Sequence, residues 1–170
     1  MKIRQLLTLA ASLLFLGTSA HAAKKPGLEP FAGSYSGRVI SKWGATSLSD
    51  NATLTFTGKK RGLSGTFLYN GILNRSGVAQ RVDQTFTLKS QGAVTGRVTV
   101  GDQTGAGAGK VRLQKKTLKF SLTYQLDGTM PVTITLVGKV VFAPKRAVMT
   151  ATVSSSDASF NGSLKVTGRR

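Results

Sequence analysis

The chain contains no cysteine, so a disulfide framework, thiolate chemistry and lipid attachment through an N-terminal cysteine are all unavailable to it. Its single histidine, His21, sits in the N-terminal segment read below as a leader. A processed chain would therefore have no imidazole for base chemistry and would lack the commonest zinc ligands. Acids are scarce as well: Glu29, Asp50, Asp83, Asp102, Asp127 and Asp157 stand against 24 Lys and Arg. No two acids are neighbours, whereas glycoside hydrolysis needs a facing pair. Beyond the leader no apolar run approaches the roughly 20 residues of a membrane helix. No enzyme, cofactor or metal site is expected from this inventory.

What is present begins with a three-part leader. Lys2 and Arg4 precede an apolar run from Leu6 to Leu16, and small residues end in Ala20-His21-Ala22. That is the pattern of a secretory signal peptide over 1–22, cleaved after Ala22, which predicts an exported, periplasmic or extracellular protein. Removing it takes away Lys2 and Arg4 and leaves 22 basic against 6 acidic residues over 23–170, a net +16. Residues 23–30 (AKKPGLEP) lack periodicity and read as a flexible lead-in; 31–170 read as one domain.

From Phe31 onward the dominant period is two, the mark of half-buried strands. Leu118, Phe120, Leu122, Tyr124 and Leu126 alternate with Lys119, Ser121, Thr123 and Gln125. Ala52-Leu54-Phe56, Leu63-Gly65-Phe67-Tyr69, the run from Val132 to Phe142 and Phe160-Gly162-Leu164-Val166 repeat that alternation. Turn signals separate the runs at Asp50-Asn51, Gly58 to Gly62, Asn70-Gly71, Gly101-Asp102, Asp127-Gly128, Ala143-Pro144-Lys145 and Ser156-Asp157. The spacing predicts an all-β antiparallel meander of roughly eight to ten strands.

An echo of apolar-x-Gly-x-apolar recurs at Gly37, Gly65, Gly96, Gly138 and Gly162. Glycine inside a strand marks a bend or a close approach, and repeated bends let a sheet curl shut, so a β-barrel is favoured over a sandwich. Gly101 to Lys110 (GDQTGAGAGK) fails as a phosphate loop, because Thr104 stands where the first glycine belongs and no Ser or Thr follows Lys110. It is read as a mobile hairpin loop. Four of the aspartates fall at turn signals as backbone caps, and Asp83 is expected to pair with Arg81 or Arg75.

The segments Gly33-Ser34-Tyr35-Ser36-Gly37, Leu54-Thr55-Phe56 and, after a basic turn, Gly62-Leu63-Ser64-Gly65-Thr66-Phe67 resemble the hairpin grammar of calycin-type barrels such as lipocalins and avidins. The resemblance implies an up-and-down barrel with a small-molecule cavity. Tyr35, Trp43, Phe56, Phe67, Tyr69, Phe120 and Tyr124 are the cavity candidates, with plain core packing the competing role for each.

Basic residues cluster in Lys59-Lys60-Arg61, in Lys110, Arg112, Lys115, Lys116 and Lys119, in Lys145-Arg146 and in Arg169-Arg170. Several fall at turns, so they are expected to gather at one barrel end or along a rim. Two partners follow: a small apolar or amphipathic ligand inside, or an anionic envelope polymer (lipopolysaccharide, polysaccharide, nucleic acid) outside. Sequence-specific nucleic-acid reading is not expected, because no aromatic series is left exposed for stacking. A small outer-membrane barrel fits less well, because the outward positions are Thr, Ser, Lys and Arg where lipid demands an apolar band.

Overall fold

In the computed structural model, which describes residues 27–170, the chain forms a closed ten-stranded antiparallel barrel. The leader and the start of the lead-in lie outside the described residues. The strands are β1 (Gly33–Trp43), β2 (Thr46–Gly58), β3 (Gly65–Arg75), β4 (Val78–Leu88) and β5 (Ala93–Val100). They continue as β6 (Gln103–Gln114), β7 (Thr117–Leu126), β8 (Val132–Ala143), β9 (Arg146–Ser155) and β10 (Gly162–Arg169). Each strand pairs with its successor, and β1 with β10 closes the ring from Ser36 opposite Arg169 to Lys42 opposite Ser163. Every connection is a hairpin, so successive turns alternate between two ends. One end, here the terminal end, carries residues 27–32, the C-terminus and the turns at 59–64, 89–92, 115–116 and 144–145. The far end carries the turns at 44–45, 76–77, 101–102, 127–131 and 156–161.

The period-two runs place one set of side chains inside and the other in solvent, as their alternating burial along β7 and β10 records. Outside, hydroxyls pair across strands: Thr57 with Thr66 at 2.6 Å, Ser34 with Thr55 at 2.9 Å and Thr123 with Thr135 at 3.1 Å. Such β-branched, hydroxyl-bearing faces suit a wetted sheet. The glycine echo has the expected steric cause. A Cβ on Gly37, Gly65, Gly96, Gly138 or Gly162 would lie 2.0–2.3 Å from a carbonyl oxygen of a neighbouring strand. The bends that close the barrel thus depend on the absence of a side chain there.

Four local expectations are corrected. Gly101 to Lys110 is no loop beyond its Gly101-Asp102 turn; the rest is β6, and Gly105 is required because a Cβ would sit 1.8 Å from the Gln125 oxygen. Asp50-Asn51 lies within β2, the turn falling instead at Gly44-Ala45. Asn70-Gly71 lies within β3, because the Tyr69 ring folds back over Gly71 and its hydroxyl donates to the Ile72 carbonyl at 2.8 Å. The real turn is Ser76-Gly77, both with positive φ, at 49° and 85°. Beyond Asn70 strand β3 leaves β2 and leans toward β1, where the Asn74 N–H donates to Ser41 Oγ at 2.9 Å.

The fourth correction concerns the lead-in. Leu28 is fully buried, and a 3-10 turn over Glu29–Phe31 caps the terminal end. Phe31 stacks on Phe142 at 4.3 Å, and the Tyr35 hydroxyl donates to the Phe31 carbonyl at 3.0 Å. At the far end a second 3-10 turn, Ala158–Phe160, buries Phe160 beneath the Arg75 guanidinium at 4.6 Å. Leu28→Ala is expected to lower stability by about 2–5 kcal/mol in denaturant titrations. A loss below about 0.5 kcal/mol, the scale of a surface substitution, would return residues 27–30 to the role of loose lead-in.

Candidate anion-binding surfaces

The cavity candidates fall into two groups. Tyr35, Phe56, Phe67, Tyr69, Phe120 and Tyr124 all point into the barrel, each with 3% or less of its surface accessible. Side chains lining a water-sized void would carry accessible surface against that void. These carry almost none, because they fill the interior against one another. Phe56 stacks on Phe67 at 4.9 Å, Tyr35 meets Phe56 edge-on at 6.1 Å, and Phe67 lies 6.1 Å from Phe120. Trp43 stands apart at the far end, half-buried, its indole N–H donating to the Ala158 carbonyl at 3.3 Å.

Deeper along the barrel Gln84 Nε2 donates to the Tyr124 hydroxyl at 3.0 Å, while Gln84 Oε1 has no protein partner. Burial pushes the Tyr69 and Tyr124 hydroxyls well above the ordinary tyrosine range, only partly offset by their hydrogen bonds to Ile72 and Gln84. A raised folded-state value means that the unfolded chain gives up these protons first, so stability is complete below pH about 10 and declines above it. Tyr69→Phe combined with Tyr124→Phe is expected to flatten that alkaline decline, read as unfolding free energy against pH alongside tyrosinate absorbance. An unchanged slope would assign the decline to other groups.

The charged residues are sorted by the turns. Lys59-Lys60-Arg61, Lys115-Lys116 and Lys145-Arg146 occupy three turns of the terminal end and its rim. Lys89 in the fourth and Arg169-Arg170 at the C-terminus join them. The far end instead presents Asp102, Asp127 and Asp157. Lys110, Arg112 and Lys119 lie on the outer wall, on β6 and β7 just beyond the Lys115-Lys116 turn.

Two ion pairs occur among the described residues, Arg75 with Asp157 at 3.3 Å and Arg81 with Asp50 at 3.7 Å. Neither involves a cation of the terminal end. Hydrogen bonds from Ser159, with Arg75 beside it, hold the Asp157 carboxyl below the usual aspartate range. Asp83 does not make the expected pair with Arg81 or Arg75; it accepts from Asn70 Nδ2 across the β3–β4 ladder.

Sequence clustering identified the basic turns but missed Lys42, Lys89, Lys139 and Lys165. These are single cations, and three of them are set in apolar strands, so only the strand register brings them near others. No group of three or more His, Cys, Asp or Glu side chains placed to hold a metal ion occurs among the described residues. Comparison with protein-family models, curated proteins and solved structures finds no significant match to this chain.

Proposed function

We propose that this is an exported, non-enzymatic binding protein whose basic barrel end engages anionic polymers or surfaces of the cell envelope. The observation that carries the reading is the segregation of charge by hairpin turn: the cations lie on the turns of the terminal end, where Glu29 is the one acidic side chain among the described residues, and Asp102, Asp127 and Asp157 lie on the turns of the other. Solubility asks for mixed charge without large single-sign fields. A cluster of cations without carboxylate partners repels itself, and a polyanion relieves that repulsion while releasing its own counterions. Export, expected from the leader, puts such a surface among the acidic polymers of an envelope. We rank this reading ahead of the small-ligand one because Tyr35, Phe56, Phe67, Tyr69, Phe120 and Tyr124 pack against one another in the core.

The test is binding of fluorescein-labelled dextran sulfate to the chain from Ala23 to Arg170, followed by anisotropy from about 50 to about 200 mM salt. Affinity is expected to fall steeply with salt. Lys115→Gln with Lys116→Gln should shallow the log–log slope by about 1.4–1.8, at ~0.7–0.9 per cation. Arg81→Gln with Arg97→Gln, an equal charge change away from the terminal end, should shallow it by much less. Equal effects from the two pairs would overturn the end as the binding surface.

A further inference from the structure

We infer that the outer wall from β7 round to β1 holds a groove for a single anionic glycan chain, a second surface distinct from the basic end. The inference rests on the reading that this protein binds polyanions, and deepens it. Its starting point is the register. Arg112 lies opposite Lys119, and Lys119 opposite Lys139. The same row continues through Thr150 to Lys165 and on to Ile40. Like charges directly opposite one another destabilise a sheet. Here three stand side by side on the exposed face, and no carboxylate interrupts the row.

Beside this row the floor of the wall is the backbone of Gly138 and Ala151, paired residues in the inward-facing register, while the side chains of Val137, Lys139, Thr150 and Thr152 stand outward around it. The resulting groove, of about 620 Å³, is edged by Lys42, Lys119, Lys139 and Lys165. Between the lysines it exposes the apolar side chains of Val137 (53%) and Ile40 (41%). Thr150, Thr152 and Ser163 complete the lining with hydroxyls.

The chemistry of the occupant follows from that lining. Lysine ammonium groups are compact point charges that accept a carboxylate, sulfate or phosphate without demanding the planar fork of arginine. Hydroxyls and small aliphatic patches suit the alternating polar and C–H surfaces of a sugar chain. No aromatic ring lines the groove, so nothing is offered for a base to stack on. Adjacent strands are ~4.8 Å apart, so the anions of the chain would meet cations about 5 to 10 Å apart over a path of about 19 Å.

The probe is a galacturonate hexamer, titrated at low salt into the ¹⁵N-labelled chain from Ala23 to Arg170, with a thymidine hexanucleotide of equal length as comparator. The expected result is shifts of the Val137, Gly138 and Ala151 amides and tighter binding of the glycan than of the oligonucleotide. Lys139→Gln with Lys165→Gln should weaken the hexamer about tenfold, and Val137→Asp, an exposed change in the middle of the groove, should do the same. Lys115→Gln with Lys116→Gln should leave it within about twofold. Shifts confined to the terminal end, or sensitivity to the end variants alone, would overturn the groove while leaving the basic end as the polyanion site. Equal binding of the oligonucleotide would overturn the glycan assignment. Failure of both the hexamer and dextran sulfate to bind would overturn the groove and the polyanion reading together.

Discussion

The pairing of β1 with β10 is the interaction on which the rest of the molecule depends. Without it the chain is an open meander with two long hydrogen-bonding edges, each a template for aggregation. With it, every strand has two neighbours and the period-two pattern acquires an inside and an outside. The ladder tolerates no bulk at its tightest points: a Cβ on Gly37 would lie 2.0 Å from the Thr167 oxygen, and one on Gly168 would lie 2.6 Å from the Tyr35 oxygen. Ten strands enclose more space than eight, and aliphatic residues alone fill it poorly. The aromatic stack from Tyr35 through Phe56, Phe67 and Phe120 answers that geometric demand, and the Leu28 and Phe160 caps finish it at the two ends.

Closure also determines where charge goes. In a meander every odd turn lies at one end and every even turn at the other, so residues far apart in sequence become neighbours by parity alone. Lys59-Lys60-Arg61 and Lys145-Arg146 are separated by most of the barrel in sequence yet share an end. The Asp102 and Asp157 turns share the opposite one. Like charges gathered at the terminal end repel one another, and among the described residues no ion pair there offsets that repulsion, so stability rests on core packing. Both ion pairs found among the described residues tie down other regions: Arg75 with Asp157 fixes the cap over Phe160, and Arg81 with Asp50 bridges β4 and β2.

This division explains what could be read from the sequence. Alternation in Leu118-Phe120-Leu122-Tyr124-Leu126 fixes a strand because no other conformation collects those residues on one face, and β7 follows it residue for residue. Turn chemistry was a poorer guide wherever a glycine served packing rather than bending. Gly71 is there for the Tyr69 ring, and Gly105 for the approach of β7, yet both lie in stretches that read as turn or loop from composition. Leu28 was illegible for a related reason: a lone apolar residue between Gly27 and Glu29 has no period, and in the fold it packs close over Gly58, where a Cβ would collide with it. The basic turns were legible as runs. Lys139 and Lys165 were not, because each is a single cation in an apolar strand and acquires meaning only when Lys119 and Thr150 are placed beside it.

The six inward-facing aromatic candidates pack against one another, so the features open to a partner in the proposed reading are the basic end and the outer wall. The β6–β7 hairpin then becomes the important element. Its turn, Lys115-Lys116, belongs to the terminal end, and its strands carry Arg112, Lys110 and Lys119 up the wall to the edge of the groove. The basic end and the groove are therefore joined along one hairpin, and under the proposed reading a long polyanion bound at the end would be led toward the lysine row without leaving a positive surface. Affinity gained at two linked surfaces multiplies through effective concentration, which favours a polymer over its isolated monomer. That coupling accounts for cations on the wall beside those at the turns better than solubility does, because solubility has no use for like charges placed directly opposite each other in register.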